Sequence, residues 1–508
     1  MTGDSQDKVI SFLGDPATHR GTPPDHVETH GAHVFLAGDT ALKVKKAVHF
    51  DYLDYTALAT REKMLRRELE LNRPAAPQIY RDVVPVTRDG DGLALDGDGE
   101  TVEWVLRMHR FPKEDELSEV AARGALTDEL ADRLGHEIAA YHDTAPRRDG
   151  TGADRMAAIL DELESAFAGM KDTLGPDRIT AFARQTRAAF DHASPLLDSR
   201  AAEGHLRRCH GDLHLRNLVL IDGRPVLFDA LEFDEELGTC DVLYDLAFLV
   251  MDLLNRGLSR PANIVLNAWL FAHQGRQDAG LAALPVFLAL RAGIRAMVTV
   301  QTGAGDPAEM RDAAQGYLKT ALDALNDPGP RLVAVGGLSG TGKTTLARRL
   351  APAIGRQPGA VHLRSDLERK ALAGVAPEDR LPADSYTAEA ARAVHTRLTD
   401  RARYLLAAGQ SVLLDATFLS PDERRGVGQL AKELSVPFTG LWLEAPVETL
   451  TRRVTARQGD ASDADADVVR RQTQTDTGPA DWPRIDTSGG IEVVEAAAAQ
   501  QLGVTPRT

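Results

Sequence analysis

The sequence predicts two domains of different fold class: an α+β domain over residues 1–327 and an α/β domain with a central parallel sheet over residues 328–508. Three observations indicate this. β-like runs are concentrated before residue 110, and helical patterns dominate from about residue 127 onward. After residue 330, apolar runs alternate with helical stretches, as in a parallel sheet covered by helices. Leu325-Asn-Asp-Pro-Gly-Pro330 lies between them and is typical of a linker, because proline and glycine end a helix.

Length and composition are those of an ordinary soluble globular protein. The 508 residues suffice for two or three domains, with 43% hydrophobic and 26% charged residues. The longest candidate apolar run, near residues 243–254, is interrupted by Asp245 and Asp252, so we expect no membrane-spanning segment. The N-terminus is polar, and two cysteines, Cys209 and Cys240, are too few for a disulfide framework. We therefore expect a cytoplasmic protein without a membrane partner.

The formal net charge of −16 bears on the possible partners. A negative surface field repels the phosphates of nucleic acids, so binding to DNA or RNA is disfavoured. Small-molecule substrates are the expected partners, and the sequence leaves the oligomeric state open.

The elements before residue 110 are predicted from short local patterns. They are two strands within residues 33–45 joined by a Gly38-Asp39 turn, a helix over about 55–72, and strands over 82–86 and 103–108. The Asp- and Gly-rich residues 89–99 are typical of hairpin turns, since they lack the full pattern of a calcium loop.

Polar residues around a predicted hairpin indicate a phosphoryl-transfer site. Within His210-Gly-Asp-Leu-His-Leu-Arg-Asn217, Asp212 and Asn217 have the spacing of a kinase catalytic loop. Two apolar runs then flank an Asp222-Gly223 turn, and the second ends at Asp229. Because the outer ends of a hairpin lie side by side, we expect Asn217 and Asp229 to converge on one magnesium site, with Asp212 on the adjoining loop.

These residues resemble the catalytic segment of the aminoglycoside phosphotransferase family. The resemblance covers about residues 30–320 and is most specific over residues 210–229 and in Asp241-Val-Leu-Tyr-Asp-Leu-Ala247. It implies a protein-kinase-like bilobal fold for the N-terminal domain.

The resemblance also implies roles for single residues. They are Asp212 as catalytic base, Asn217 and Asp229 as magnesium ligands, Lys43 at the nucleotide phosphates, Glu68 as the partner of that lysine, and Met108 in the hinge that holds adenine. Lys45 lies on the same strand face as Lys43, and Glu70 lies two residues from Glu68, so both alternatives stay open. His142, Asp241 and Asp245 are expected to pack or to hydrogen-bond rather than to act chemically.

The N-terminal domain departs from the kinase pattern at one place. No Gly-x-Gly-x-x-Gly precedes the strand that carries Lys43, and the nearest glycine is Gly31. A short phosphate-covering loop is one interpretation. The alternative is a pseudokinase, which binds nucleotide without turnover.

A second nucleotide site is predicted just after the linker. Gly337-Leu-Ser-Gly-Thr-Gly-Lys-Thr344 has the pattern of a P-loop, and it lies between a predicted strand and a predicted helix, as this motif requires. Lys343 is expected to meet the β- and γ-phosphates and to act in catalysis, while Thr344 binds magnesium. The other expected nucleotide contacts are Gly337, Ser339, Gly340, Thr341, Gly342 and Thr345.

Residues after the later strands complete this second site. Asp366 ends one strand, where an acid can accept a hydroxyl proton, and the following Arg369 and Lys370 can hold an anionic group. Asp415 ends another strand and suits a magnesium ligand. Arg453 and Arg457 precede an acidic insert that looks like a lid, and lid arginines can close over the transferring phosphate.

Residues 330–505 resemble P-loop kinases of the nucleotide, gluconate and shikimate type, and Arg484-Ile-Asp-Thr-Ser488 matches their final strand and loop. The domain order resembles bacterial proteins described as bifunctional aminoglycoside phosphotransferase/ATP-binding proteins. That resemblance implies ATP and Mg²⁺ as cofactors.

The function predicted from these motifs is transfer of the γ-phosphoryl group of ATP, at two sites, to a hydroxyl of a small polar metabolite such as a sugar, an aminocyclitol or an aminoglycoside-like molecule. Two alternatives stay open. One is an ATP-binding regulatory or scaffold protein in which one domain is a pseudokinase. The other is a C-terminal nucleotide or nucleic-acid end kinase, which the net charge disfavours.

Overall fold

The computed structural model describes residues 3–50, 53–303, 305–376, 379–456, 462–478 and 481–507. By its internal contacts the chain divides into two compact units, residues 1–150 with 202–245 and residues 151–201 with 246–508. Both units are therefore discontinuous in sequence, and the packing joins the helices of residues 246–325 to the chain after the linker. A domain boundary at 327/328 stays a prediction.

The first unit contains an antiparallel sheet with helices beside it. Its helices are α1 (Gly3–Gly14), α2 (Leu58–Asn72), α3 (Leu117–Ala122) and α4 (Asp128–Thr144). Its strands are β1 (Asp25–Glu28), β2 (Ala32–Ala37), β3 (Thr40–Lys45), β4 (His49–Phe50), β5 (Leu53–Asp54), β6 (Tyr80–Asp89), β7 (Gly92–Leu95), β8 (Thr101–His109), β9 (Leu206–Arg208), β10 (Leu218–Ile221), β11 (Arg224–Leu227) and β12 (Thr239–Asp241).

The large sheet has the strand order β1-β2-β3-β8-β6-β7 and two apolar faces. One face packs on Val9 and Leu13 of α1, and the other packs on Leu65 of α2. Successive side chains of a strand point to opposite faces of the sheet. Val105 therefore packs in the cluster with α1, and the next residue, Leu106, packs in the cluster with α2. The predicted hairpin of residues 33–45 is β2–β3, while α1 and β1 were not predicted.

The hairpin β10–β11 has the predicted turn. Leu218 pairs with Leu227, and both turn residues have positive φ, 51° at Asp222 and 73° at Gly223. Positive φ at both positions matches the twist of a two-residue hairpin and favours Asp-Gly there.

The second unit contains the remaining helices and a five-stranded parallel sheet, although the helix that ends at Ala202 and the helix that begins at Val242 include residues of the first unit. The helices are α5 (Gly152–Ala168), α6 (Lys171–Leu174), α7 (Pro176–Ala202), α8 (Val242–Asn255), α9 (Ser259–Ala272), α10 (Leu284–Thr302), α11 (Pro307–Leu325), α12 (Lys343–Leu350), α13 (Ser365–Ala373), α14 (Ala388–Ala407), α15 (Pro421–Glu433), α16 (Val447–Ala456), α17 (Ala466–Thr473) and α18 (Ile491–Leu502). The strands are β13 (Leu332–Gly337), β14 (Val361–Arg364), β15 (Val412–Asp415), β16 (Phe438–Glu444) and β17 (Arg484–Asp486).

The parallel sheet confirms the predicted α/β class of the C-terminal domain. Its order is β14-β15-β13-β16-β17, and all its strands pair in parallel. The chain crosses from β13 to one side and later to the other, so β13 lies at the point where the strand order reverses. Ligands of open α/β sheets bind outside the carboxyl ends of strands at such a point.

Among the described helices, the stretch Asp278–Thr302 is long and apolar enough to cross a membrane by length and composition. This stretch was not predicted from the sequence. In the folded chain 78% of its apolar window is buried, which is typical of a core helix in a globular protein.

Candidate active sites

Lys43 and Lys45 share one buried carboxylate. Alternation along β3 places Leu42 and Val44 in the apolar core with α1 and turns the two lysines to the opposite face. There, Lys43 Nζ lies 2.7 Å from Glu68 Oε1, and Lys45 Nζ lies 2.7 Å from Glu68 Oε2. Glu68 is fully buried. Each of its two oxygens is paired with one ammonium group.

Both lysines also contact the segment that follows β11. Lys43 Nζ lies 2.9 Å from Asp229 Oδ1, and Lys45 Nζ lies 2.5 Å from Glu232 Oε1. Burial by itself would lower the pKa of Lys43, but the charges of Asp229, Glu68 and Glu232 hold that pKa well above its ordinary value. Burial would likewise raise the pKa of Asp229, but Lys43 outweighs it and lowers the pKa. Both groups are therefore charged at neutral pH.

The hairpin brings the polar residues of the first site together. Asn217 Nδ2 donates to Asp212 Oδ2 and to the Asp212 carbonyl oxygen, each at 2.9 Å. The N–H of Phe228 donates to the Asn217 carbonyl at 3.1 Å, which places Asp229 beside Asn217. Asp229 has a φ of 60°, uncommon for a residue with a side chain, and its N–H donates to Tyr80 Oη at 3.0 Å.

Asp245 anchors the backbone of the loop that precedes Asp212. Its carboxylate accepts the N–H groups of His210 at 3.2 Å and of Gly211 at 2.8 Å, and His142 Nε2 lies 3.1 Å away. Burial lowers the pKa of His210, so this ring is neutral at pH 7, and its Nε2 lies 2.9 Å from the Phe228 carbonyl oxygen. These contacts fix the loop ahead of Asp212, and the expectation that His142 and Asp245 hydrogen-bond rather than act chemically stays a prediction.

The strands before Lys43 are joined by a short turn. Only residues 29–31 connect β1 to β2, and the Thr29 N–H donates to the Ala32 carbonyl at 2.9 Å. Protein kinases have a glycine-rich loop over the phosphates in this part of the sheet. Met108 lies near the end of β8, paired with Ala41 and Tyr80 on the two neighbouring strands.

The P-loop lies between β13 and α12, and two of its glycines are sterically required. Gly337 has a φ of 137°, and a Cβ there would lie 2.4 Å from the Leu443 carbonyl oxygen. Gly340 has a φ of 86°, and its Cβ would lie 2.7 Å from the Leu450 carbonyl oxygen. A side chain at either position would displace the backbone of a neighbouring element.

Four hydrogen bonds shape the same loop. Lys343 Nζ donates to the carbonyl oxygens of Gly337 and Leu338, each at 3.0 Å. Thr341 Oγ1 also donates to the Leu338 carbonyl, at 2.8 Å. The N–H of Ser339 donates to Gln472 Oε1 at 2.8 Å, so α17 contacts the loop directly.

Thr344 and Asp415 meet at the carboxyl end of the sheet. Thr344 Oγ1 donates to Asp415 Oδ2 at 2.6 Å, and His362 Nε2 lies 3.3 Å from the same oxygen. Burial would raise the pKa of Asp415, but the hydrogen bond from His362 and the charges of Arg364 and Lys343 lower that pKa to about 2. Asp415 is therefore ionised, as a metal ligand must be.

Asp366 lies in the first turn of α13. Burial raises its pKa above the ordinary carboxyl value, in spite of the nearby Arg364. Lys370 is buried and donates to the Asp379 carbonyl oxygen at 2.6 Å, with Asp463 Oδ1 at 3.3 Å. The charge of Lys370 is therefore paired within the fold, and its contact with an anionic group stays a prediction.

The two lid arginines differ in what the structure describes. Arg453 Nη2 donates to the Thr487 carbonyl at 2.6 Å, and its Nη1 lies 3.4 Å from the Gly340 carbonyl oxygen. Arg453 thus links α16 to the P-loop and to the loop after β17. Arg457 lies outside the described residues. Thr345 is exposed on the first turn of α12.

Some contacts of these sites were missed by sequence reasoning. Glu232 at Lys45, His362 at Asp415 and Gln472 at the P-loop were not predicted. His362 had a usable signal, because it alternates with Arg364 on a short strand whose other residues are apolar, and isolated polar residues in a strand require partners. Glu232 and Gln472 have no local signal.

The donor atoms at both sites fit a magnesium ion, which prefers oxygen ligands from a few carboxylates. The first site offers the amide of Asn217 beside the carboxylate of Asp229, and the second offers the hydroxyl of Thr344 beside the carboxylate of Asp415.

Comparisons with known proteins agree with this geometry. Residues 37–280 match the family model of the phosphotransferase enzyme family (APH), and residues 332–479 match an AAA domain model (AAA_33). The uncharacterized protein Rv2004c of Mycobacterium tuberculosis (strain H37Rv) is 31% identical over 480 residues, which are 92% of each chain. The uncharacterized protein Mb2027c of Mycobacterium bovis matches to the same extent.

Solved structures resemble single parts of the chain. A sugar kinase from Janibacter sp. is 24% identical and covers 35% of this chain and 96% of its own, with a TM-score of 0.28. A choline/ethanolamine kinase family protein from Mesorhizobium loti is 16% identical, covers 63% and 99%, and has a TM-score of 0.38. Aminoglycoside 2'-phosphotransferase-IIIa in its GDP complex is 12% identical, covers 62% and 99%, and has a TM-score of 0.39.

The two family models place a phosphotransferase before a nucleotide-binding P-loop domain, so the chain is a kinase that acts on hydroxyl groups. The chain belongs to one family with its mycobacterial relatives, and its two matches have the order of a bifunctional aminoglycoside phosphotransferase/ATP-binding protein, in which a protein-kinase-like domain precedes a P-loop domain.

Proposed function

We propose that the chain has two ATP sites and that each transfers the γ-phosphoryl group of ATP to a hydroxyl of a small polar metabolite. One observation supports this above all: each site has an aspartate suited to accept a proton, a lysine, and a pair of oxygen donors suited to a metal. At the first site these are Asp212, Lys43 and the pair Asn217 and Asp229. At the second they are Asp366, Lys343 and the pair Thr344 and Asp415.

At the first site, Asp212 accepts the proton of the acceptor hydroxyl. The acceptor oxygen then bonds to the γ-phosphorus as the bond from phosphorus to the leaving oxygen of ADP breaks. Asn217 orients Asp212 through its bond of 2.9 Å to Oδ2. Lys43 stays protonated beside Glu68 and contacts the phosphates. Mg²⁺, held by Asn217 and Asp229, would neutralise phosphate charge.

At the second site, the N–H groups of the P-loop and the charge of Lys343 bind the phosphates of ATP. Asp366 accepts the acceptor proton, and its raised pKa makes it a stronger base than an exposed aspartate. Thr344 and Asp415 would hold the metal. Arg453, which donates to the Thr487 carbonyl, lies beside the P-loop and would contact the phosphates or the adenine of ATP.

The acceptor of the first site is proposed to be a sugar, an aminocyclitol or an aminoglycoside-like molecule. The acid-rich segment after Asp229 has few negative charges left to bind a cationic acceptor. Glu232 pairs with Lys45, and Glu235 pairs with Arg67, so these charges are used within the fold. We therefore favour a hydroxylated metabolite of low charge. Small molecules in the cytoplasm, rather than nucleic acids or membranes, are the proposed partners.

The test is phosphotransfer by the full chain. ADP production is measured with a panel of sugars, aminocyclitols, aminoglycosides and nucleosides for the wild type, Asp212→Asn, Lys343→Ala and the double variant. We expect each single variant to lose transfer to a different acceptor and the double variant to lose both. Transfer that persists in both single variants for every acceptor would contradict the proposal.

The short turn of residues 29–31 favours a second candidate function for the first site, nucleotide binding without turnover. In that case Asp212→Asn changes no acceptor's rate, while ATP binding that depends on Lys43 persists. Acceptor turnover by Asp212→Asn therefore separates the two functions, and isothermal titration calorimetry of Lys43→Met in a Lys343→Ala background checks the ATP binding that both functions require.

A further inference from the structure

Helix α9 binds the open edge of the parallel sheet with two side-chain amides. Asn263 Nδ2 donates to the Ala360 carbonyl oxygen at 3.1 Å. Asn267 accepts the N–H of His362 at 2.7 Å and donates to the Ala360 carbonyl at 3.3 Å. The two asparagines are four residues apart, so they lie on one face of the helix. Together they replace the hydrogen bonds that a further strand would make with β14.

These amides are unusual for the rest of α9. Their neighbours Ile264, Val265 and Leu266 are buried and apolar, and Asn263 itself is only 2% exposed. A buried amide costs free energy unless it is hydrogen-bonded, so the contact with β14 is what makes asparagine acceptable at these positions. An edge strand without such partners leaves its outer N–H and C=O groups unpaired.

The strand held in this way carries a residue that contacts the second site. His362 Nε2 lies 3.3 Å from Asp415 Oδ2, the same oxygen that accepts the Thr344 hydroxyl at 2.6 Å. Asn267 binds the backbone of His362, while the side chain of His362 binds Asp415. One residue therefore connects α9 to the proposed magnesium ligand. Polar partners of this kind orient metal ligands, and their loss costs about 10- to 100-fold in metal affinity.

This connection joins segments that match two different family models. Helix α9 lies within residues 37–280, which match the phosphotransferase family, and β14 lies within residues 332–479, which match the AAA domain. Both lie in the second compact unit.

We propose that Asn263 and Asn267 are positioning residues for the P-loop site: they fix β14 so that His362 holds Asp415 beside Thr344. Residues of the phosphotransferase part of the chain thereby set the magnesium-dependent ATP affinity of the P-loop part. This inference rests on the proposed function, because it takes Asp415 as a magnesium ligand.

The test uses the full chain with Asp229→Asn as parent, so that the first site lacks a metal ligand. Isothermal titration calorimetry gives the dissociation constant of ATP with Mg²⁺ and with EDTA. Adding Asn263→Ala and Asn267→Ala is expected to raise the constant with Mg²⁺ about tenfold and to change the constant in EDTA little. Asn255→Ala is the matched control, because Asn255 accepts the Thr320 hydroxyl within the helical part at 3.1 Å. The control should leave both constants unchanged.

His362→Ala keeps the backbone contact with Asn267 and removes the contact with Asp415, so it is expected to reproduce the loss with Mg²⁺. Thermal unfolding shows whether the double asparagine variant folds. If it does not fold, the result for His362→Ala decides whether the inference holds. Equal weakening with Mg²⁺ and EDTA, or no effect of His362→Ala, overturns the inference alone. Lys343→Ala is also added to the parent. If it does not change ATP binding, the proposed P-loop function is overturned, and the inference is overturned with it.

Discussion

Lys43 and Asp229 form an ion pair with 2.9 Å between Nζ and Oδ1. The pair joins the large antiparallel sheet to the residue that follows the β10–β11 hairpin. Glu68, the second partner of Lys43, is shared with Lys45, which in turn pairs with Glu232. The two lysines thus have separate tasks: Lys43 faces a carboxylate that is 42% exposed, whereas Lys45 lies between carboxylates that are buried.

The first prediction separates these tasks. Lys45→Met leaves one oxygen of Glu68 and the carboxylate of Glu232 buried without their ammonium partner, which is expected to cost about 3–5 kcal/mol of unfolding free energy. Lys43→Met should cost less, because Glu68 keeps Lys45 and Asp229 reaches water. Phosphotransfer by the first site should nevertheless be lost in Lys43→Met. Urea unfolding midpoints and acceptor turnover check both variants, and a less stable Lys43→Met would contradict the assignment.

The second prediction concerns the P-loop. Gly340→Ala places a Cβ 2.7 Å from the Leu450 carbonyl oxygen and must displace α16, which carries Arg453. Gly342 is the matched control, since it has the same φ of 86° and its Cβ would meet no described atom within 4 Å. Both variants have backbone strain of about 1–3 kcal/mol, and only Gly340→Ala adds the overlap. ATP binding by calorimetry should be weakened more in Gly340→Ala than in Gly342→Ala, and equal weakening would refute the role of close packing.

Features of the fold and of the sites could be predicted from the sequence where neighbouring residues determine them. The β10–β11 hairpin was predictable because Asp222 and Gly223 accept positive φ and apolar runs flank them. The P-loop was predictable for the same reason, since strand, glycines and helix follow one another.

Contacts between distant segments could not be read in this way. Lys45 and Glu232 are 187 residues apart, and no periodicity relates them. Helix α1 had a weak signal in Val9 and Leu13, which are four residues apart, but its polar surroundings concealed it. The edge contact of Asn267 with β14 is a property of tertiary packing, since an asparagine in a helix predicts no partner.

The third prediction is a pH dependence of stability. Burial would raise the pKa of Glu235, but hydrogen bonds from Arg148, Arg67 and Arg208 lower it to about 2. Since the unfolded pKa is about 4.3, the ion pairs stabilise the fold fully above that pH and lose their effect as the pH falls toward 2. Glu235 is 48% exposed, so screening limits the contribution to about 1 kcal/mol.

Glu235→Gln is therefore expected to lower the thermal midpoint at pH 6 and to approach the wild type as the pH falls below 4. Added salt should reduce the difference at pH 6. A difference that grows toward low pH would show that the folded pKa is not depressed.

The last prediction compares two arginines of α14 that differ in burial. Arg401 makes two bonds of 3.0 Å to the carboxylate of Asp278 and also pairs with Glu368, and all three side chains are largely buried. Arg403 pairs with Glu433 on the surface, where the two side chains are 50% and 43% exposed. Arg401→Ala leaves two buried carboxylates without a shared partner and is expected to cost about 3–5 kcal/mol, although Glu368 retains Arg397.

Arg403→Ala is expected to cost about 1 kcal/mol or less, because exposed ion pairs contribute little. Because Asp278 belongs to the part of the second unit that precedes the linker, Arg401→Ala should weaken the packing of α13 and α14 on that part. Hydrogen exchange should then report faster exchange in α13, the helix that carries Asp366, and unchanged exchange in the first unit. Equal stability of the two arginine variants would show that the buried network contributes no more than the surface pair.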